Sequence, residues 1–357
     1  MINKINIEEN VSLAPMTTLK IGGNARFFVR AETEEQVIEA FKFAKRNSFE
    51  LFILGGGSNI LISDKGFDGL VLQIALKGIS LGNENSTKIN ITVGAGEDWD
   101  KFVEFCVEKN FQGIECLSGI PGFVGGTPVQ NVGAYGQEVS ETIISVRCLD
   151  RKSGEIIELS NTECKFAYRT SIFNTTDKER FIVLAVKYAL NVAGNSKIVY
   201  ADLQKHFGEK IPTLNEMRQT VLAIRAAKSM VIDENDSNSR SAGSFFKNPI
   251  VSSEIFKTVE EKAKQLKLIE ENENLPNYPV DGENVKIPAA WLIENSGFYK
   301  GYTRGNAGLS TNHALAITNR TNATAAEILG LKNEIQNKVN ENFGIFLTPE
   351  PIFVGFD

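Results

Sequence analysis

Gly119-Ile120-Pro121-Gly122-Phe123-Val124-Gly125-Gly126-Thr127, continued by Gln130-Asn131-Val132-Gly133-Ala134-Tyr135-Gly136, is the stretch on which the reading of this chain turns. Its first glycines recur every three residues, a spacing that neither strand nor helix needs. Long ordered loops are uncommon in compact domains and are usually functional. Thr127, Gln130, Asn131 and Tyr135 add hydroxyl, amide and aromatic groups to backbone N–H groups that no Cβ shields. A second cluster lies upstream, Gly55-Gly56-Gly57-Ser58-Asn59, between the apolar runs Leu51–Leu54 and Ile60–Ser63. It lacks the Lys-Ser/Thr of a P-loop and joins strand to strand, so the dinucleotide fingerprint fails as well. Alone, this cluster also reads as a plain tight turn. Together the two glycine surfaces suit the two ends of an extended, pyrophosphate-bearing cofactor.

Around these loops the pattern alternates between strand and helix without regular βαβ repetition, which predicts an α+β class with mixed strands. Thr33 and Gln36 predict a capping box for a helix over 33–46, with Val37, Ile38, Phe41 and Ala44 on one face. Leu70–Leu76, Ile89–Val93 and Phe181–Leu190 read as strands, the last long enough to be central. Trp99, Phe102, Val103 and Cys106 mark a helix, and 142–149 with 155–159 a hairpin around Lys152-Ser153-Gly154. Further helices are predicted at 213–228, 253–267, 288–296 and 324–342. A loop is expected at 273–284, a strand at 313–318, and short strands at Ile345–Leu347 and Ile352–Val354. The polar segment Asp233–Arg240 is the best candidate boundary.

Composition narrows the function. The 357 residues carry 38 basic and 44 acidic side chains, a net charge of −6, and 42% are hydrophobic. This is ordinary globular composition and excludes a disordered or low-complexity chain. A pI near 5.3 argues against a general nucleic-acid binder. No apolar run reaches the roughly 18 residues of a membrane span. Met1–Asn10 has no apolar core of a signal peptide, so a cytoplasmic chain with reduced thiols at Cys106, Cys116, Cys148 and Cys164 is expected. With only His206 and His313, a multi-histidine metal site is impossible within one chain, and no metal is expected.

Three short stretches set polar groups among apolar neighbours. Phe166-Ala-Tyr168-Arg169-Thr-Ser171-Ile-Phe173 places a guanidinium among aromatics, suited to a carboxylate or enolate, or else to stacking at an interface. Ser241-Ala-Gly-Ser244-Phe-Phe-Lys247-Asn248-Pro249 offers Ser244 as a proton donor or, alternatively, as a turn residue. Pro349-Glu350-Pro351 holds a carboxyl group between two rigid residues, although most single glutamates are solvated.

In this order and over nearly the whole chain from about Asn10, these segments resemble the UDP-N-acetylenolpyruvoylglucosamine reductase family, flavoenzymes of bacterial peptidoglycan synthesis. The resemblance implies an FAD-binding fold of the vanillyl-alcohol-oxidase type in two subdomains, residues 1–76 with 345–357 and residues 77–229, plus a substrate domain at 230–344. It implies non-covalent FAD held by Gly55, Gly56, Gly57, Ser58, Asn59, Ile120, Pro121, Gly122, Gly125, Thr127, Gln130, Asn131, Gly133, Ala134 and Tyr135. It also implies NADPH as hydride donor and UDP-N-acetylglucosamine enolpyruvate as acceptor, in a monomer without membrane insertion. Ser244 matches the proton donor, and Arg169 and Glu350 match the pair that stabilises an enolic intermediate. Lys228, Asn248 and His313 match substrate contacts. Ile198-Val-Tyr200-Ala-Asp-Leu203 and the insertion near 265–287 match the longer subtype, whose tyrosine, here Tyr200, closes over the UDP moiety. Two positions depart from the pattern: Asn174 stands where lysine is frequent, and Ser241 where asparagine is. A flavin oxidase of the same fold acting on a hydroxy acid, and a catalytically silent nucleotide-binding module, are the alternatives.

Overall fold

A computed structural model describes residues 5–84, 87–196 and 198–356. The reading of Met1–Asn10 therefore rests in part on residues outside that range. By internal contacts the chain divides into two compact units, Met1–Ser12 with Asn24–Gly57 and Phe67–Val231, and Leu13–Gly23 with Ser58–Gly66 and Ile232–Asp357.

The first unit is built on two sheets. One has four strands in the order Glu8–Ser12, Asn24–Ala31, Phe67–Ile74, Leu51–Leu54, the first pair antiparallel and the others parallel. Helix α1 (Glu34–Arg46) buries Val37, Ala40, Phe41 and Ala44, the stripe its 3.6-residue period dictates. Thr33 Oγ1 accepts from Gln36 N at its N-terminus, but the Gln36 side chain accepts from Glu32 N, so the predicted box closes one residue early. The other sheet is antiparallel, in the order Ile156–Ser160, Ile143–Asp150, Phe181–Val192, Lys88–Gly94, Ile79–Glu84. Phe181–Val192 is central, as its apolar length predicts. Against this sheet packs α2 (Trp99–Glu108), where Trp99, Phe102 and the fully buried Tyr188 form one aromatic cluster. Helices α3 (Ala201–Phe207) and α4 (Leu214–Ala227) share a small core of Leu203, Met217 and Val221 with Cys116. All four cysteines are buried free thiols, and burial pushes the Cys164 thiol up to about 12 and the others higher still.

In the second unit Ile60–Ile62 pairs in parallel with Ile352–Val354. Two small antiparallel sheets, one of Ile250–Ser252, Asn284–Lys286 and Tyr278–Asp281, the other of Thr303–Arg304, Ala307–Leu309 and Ile317–Asn319, complete its strands. Helices α5 (Ser253–Gln265), α6 (Ala289–Glu294) and α7 (Ala325–Phe343) cover a core that includes Phe245, Phe246, Leu292, Leu309 and Leu331.

Some expected elements are corrected. The 273–284 loop contains a strand, Tyr278–Asp281, whose alternation Pro279 and Asp281 conceal. The strand expected at 313–318 is only Ile317–Asn319, because Ala316 N donates back to His313 O and closes a turn. Ile345–Leu347 is no strand: Ile345 and Leu347 are buried and Phe346 exposed, but Leu347 O is taken by the Gln336 amide. Helix α3 was not foreseen.

Candidate active site

In the first unit the two glycine loops meet backbone to backbone. A Cβ on Gly56 would stand 2.7 Å from Gly122 Cα, so no other residue fits there without a shift. The longer loop is pinned along its length: Gly122 O accepts from Trp99 N, Val124 N donates to Glu97 O, and Gly125 N donates to Ala95 O. Gly119 N donates to Asp100 Oδ1 at 2.6 Å, and Asp100 is itself gripped by Arg218 at 2.6 and 3.0 Å. Burial works against ionisation of Asp100, but the bonds from Arg218 and Gly119 outweigh it and hold its carboxyl below the usual range.

Not every cofactor candidate offers its side chain. Thr127 is buried, with its hydroxyl 2.9 Å from the Tyr188 hydroxyl and donating to Val124 O. Asn131 is buried too; its amide donates to Glu138 and Ala167 O and accepts from Ser140 N. Both side chains shape the loop, and the Thr127 backbone is spent there too, its N–H donating to Val124 O and its carbonyl accepting from Val132 N. Gly55 and Gly126 differ from Gly56: a Cβ at either would meet nothing within 4 Å, so protein packing does not demand glycine there. Beside Gly119 the buried guanidinium of Arg225 keeps its Nε without a partner among the described residues. Open backbone with an orphaned cationic donor nearby is what a pyrophosphate-bearing cofactor needs, and these residues fit FAD.

Arg169 is fastened to the same loop. It sits in the tight Ala167–Thr170 turn with a left-handed backbone, φ 54°, above the Tyr168 ring. Its Nη2 donates to Gly133 O at 2.6 Å, Asn131 holds Ala167 O, and Ser171 Oγ donates to Val129 O. Asn174, a departure from the family pattern, donates to Arg169 O and accepts from Ser171 N, so it braces the turn. Tyr200 caps α3, and its ring stands edge-on to Tyr135 at 5.3 Å. Lys228 caps α4 and reaches Asp202 of α3 at 3.1 Å.

The second unit holds the other candidates. Ser244 follows Gly243, whose φ of 75° turns the chain. The next residues pair with the C-terminal segment: Phe246 bridges to Pro349, Glu350 N donates to Phe245 O at 2.9 Å, and Lys247 N donates to Thr348 O. Ser244 and Glu350 are thus set on adjacent backbones. Asn59 secures this pair, its amide donating to Glu350 O and its carbonyl accepting from Ile352 N. His313 Nδ1 accepts from Leu315 N, and Leu315 O accepts from Phe245 N, so the His313 turn lies beside Ser244. Asn248 Oδ1 accepts from Ala289 N at the start of α6.

Two residues escaped the sequence reading. Arg225 lies one helical turn before Lys228, and that i, i+3 spacing was the available signal. Glu115 gave none, since a lone glutamate reads as surface. It is fully buried and accepts from Gly113 N, the Gln137 amide and the Ser196 hydroxyl, joining the end of the glycine loop to the base of the Tyr200 segment.

Comparison with known proteins identifies the family. The FAD binding domain family matches residues 25–160, and the UDP-N-acetylenolpyruvoylglucosamine reductase C-terminal domain family matches residues 235–354. The UDP-N-acetylenolpyruvoylglucosamine reductase of Thermobifida fusca (strain YX) is 42% identical over 351 residues, covering 97% of each chain. That of Streptomyces coelicolor is 44% identical, covering 96% of this chain and 89% of its own. The crystal structure of the Thermus caldophilus enzyme superposes with a TM-score of 0.66 at 23% identity, over 98% of this chain and 100% of that one. The architecture is the α+β FAD-binding fold of the vanillyl-alcohol-oxidase type. On identity over nearly its full length, the chain that carries these glycine loops, the braced arginine and the paired Ser244 and Glu350 belongs to the UDP-N-acetylenolpyruvoylglucosamine reductase family.

Proposed function

We propose that this chain uses NADPH to reduce UDP-N-acetylglucosamine enolpyruvate to UDP-N-acetylmuramate, as a cytoplasmic monomer in peptidoglycan precursor synthesis. The observation that carries the reading is the pairing of the Ser244 segment with Glu350, which sets a hydroxyl proton and a carboxyl group on adjacent backbones. Non-covalent FAD, when bound, supplies the hydride chemistry between NADPH and the vinyl carbon. Ser244 Oγ holds the proton delivered to the neighbouring carbon. Arg169 and Glu350 stabilise the charge that develops on the substrate carboxylate, and the rigid turn under Arg169 means little reorganisation is needed. Lys228 contacts the diphosphate, Tyr200 closes over it, and Asn248 and His313 contact the substrate.

Among the described residues no helix is long and apolar enough to cross a membrane, which supports a chain without insertion. The separate four- and six-stranded sheets support a boundary near residue 76. The proposed domains are residues 1–76 with 345–357, 77–229 and 230–344; the pairing of Ile352–Val354 with Ile60–Ile62 ties the last residues to a strand within 1–76, although by internal contacts Leu13–Gly23 and Ser58–Gly66 group with Ile232–Asp357. An anaerobic absorbance titration tests the function. Bleaching by NADPH and recovery on adding the enolpyruvyl nucleotide is the expected result. Bleaching without recovery removes the proposed acceptor, and failure of the folded protein to take up FAD removes the reading altogether.

A further inference from the structure

Away from these residues, a cavity of about 500 Å³ opens on the first unit. That volume lies within the range of small-molecule sites, roughly 300–1,000 Å³. Its apolar lining, Phe41 and Ala44 of α1 with Leu51 and the partly exposed Phe49, is largely buried, and its polar lining holds five cations against one carboxylate, Glu179. Two of the cations are matched: Arg180 pairs with Asp150 at 2.8 Å and Asp177 at 2.9 Å, and Lys178 lies 4.0 Å from Glu179.

Lys45, Arg151 and Lys152 meet no carboxylate in ion-pair range among the described residues. Arg151 donates to one backbone carbonyl, Glu179 O at 2.7 Å, which leaves most of its donor fork unused. Lys45 stands 5.9 Å from the centre of the Phe41 ring. Separate segments bring these cations together. Lys45 lies in the last turn of α1, while Arg151 and Lys152 form a hairpin tip shaped by the Asp150 side chain accepting from Lys152 N. In a chain of net charge −6, such a gathering of unmatched cations is not the character of the surface at large. Like charges repel unless anions sit among them; Glu179, the one carboxylate in the lining, acts on Arg151 but is outnumbered, and an arginine fork with flanking ammonium groups suits phosphate oxygens.

We propose that this cleft binds a small phosphorylated anion, its phosphate among Lys45, Arg151 and Lys152 and its apolar or planar part on Phe41 and Phe49. None of these residues has a part in the reaction described above. The test is calorimetric titration of the FAD-loaded chain with inorganic pyrophosphate and with ADP, the catalytic site being filled with saturating enolpyruvyl nucleotide. Pyrophosphate is expected to bind, about tenfold more weakly in the Lys45→Glu, Lys152→Glu double variant, with NADPH-dependent turnover unchanged. Lys152→Ala, at the exposed hairpin tip, is expected to weaken binding in the same direction. ADP is expected to bind several-fold more tightly than pyrophosphate, through the phenylalanine floor. No binding with the catalytic site filled, or equal affinity in the charge-reversed variants, overturns the site. Equal affinity for ADP and pyrophosphate overturns the apolar half of the assignment.

Discussion

At Arg169 the backbone adopts a conformation that L-residues avoid, at a cost of roughly 1–2 kcal/mol. Asn131 and Tyr135, at φ 46° and 50°, share it. Such strain persists where surroundings over-determine it, and here Asn131, Asn174 and Gly133 O supply the hydrogen bonds. What the arrangement provides is a guanidinium already in place. Ser244 has a narrower task, and Ser244→Ala is expected to leave flavin reduction by NADPH intact while slowing reoxidation by substrate about 10²–10⁴-fold. Stopped-flow comparison of the half-reactions decides it, and equal rates would remove Ser244 from the mechanism. Asp100 links protonation to loop order. Its folded pKa is depressed, so its contribution is complete above the unfolded value near 3.9 and is lost as pH falls through the folded value below it. Asp100→Asn should therefore abolish part of the loss of stability on acidification below about pH 4 and lower FAD affinity at neutral pH. An acid limb identical to that of the parent protein would count against this linkage.

Among the elements, α3 and α4 answer to each other through Lys228 and Asp202, and α3 to the glycine loop through Tyr200 and Tyr135. The capping box of Thr213 and Glu216 starts α4, and the Lys210 ammonium with the Thr213 N–H and hydroxyl brings the Glu216 carboxyl down to about 2. This helix start was legible, because a capping box is a local pattern of side chain and backbone. Helix α3 was not, since seven residues beginning after Tyr200 carry too little periodicity to declare themselves. Its position beside Tyr135 makes it the element expected to respond to substrate. Tyr200→Phe should raise the apparent KM for the enolpyruvyl nucleotide about tenfold, the order of one lost hydrogen bond to a charged group, with little change in flavin reduction. Steady-state kinetics with the substrate varied will show whether it does; an unchanged KM would deny Tyr200 its closing role.

For the whole molecule, FAD is a ligand of the folded state alone. At a hundred times its dissociation constant it should add about 2.7 kcal/mol of stability. Thermal unfolding with increasing FAD should show a rising midpoint, and a midpoint indifferent to FAD would remove the cofactor assignment. Much of this protein was determined by sequence alone. The α+β class, the long central strand and both glycine loops follow from local patterns: apolar period, capping residues, and glycines too closely spaced for regular structure. Arg169, Ser244 and Glu350 stood out as polar groups among apolar neighbours, and their roles came from the family resemblance. Tertiary structure decided what those patterns leave open. The runs Leu51–Leu54 and Ile60–Ile62 look alike, yet they join different sheets because their parallel partners, Phe67–Ile74 and Ile352–Val354, lie elsewhere in the chain. Only the packed structure shows that Asn131 and Thr127 spend their side chains on the protein, that Asn174 braces Arg169, and that Glu115 is a buried hub. The reason is physical: a hydrogen bond between residues far apart in sequence leaves no periodic trace, and burial of a polar side chain is settled by the partners that folding brings to it.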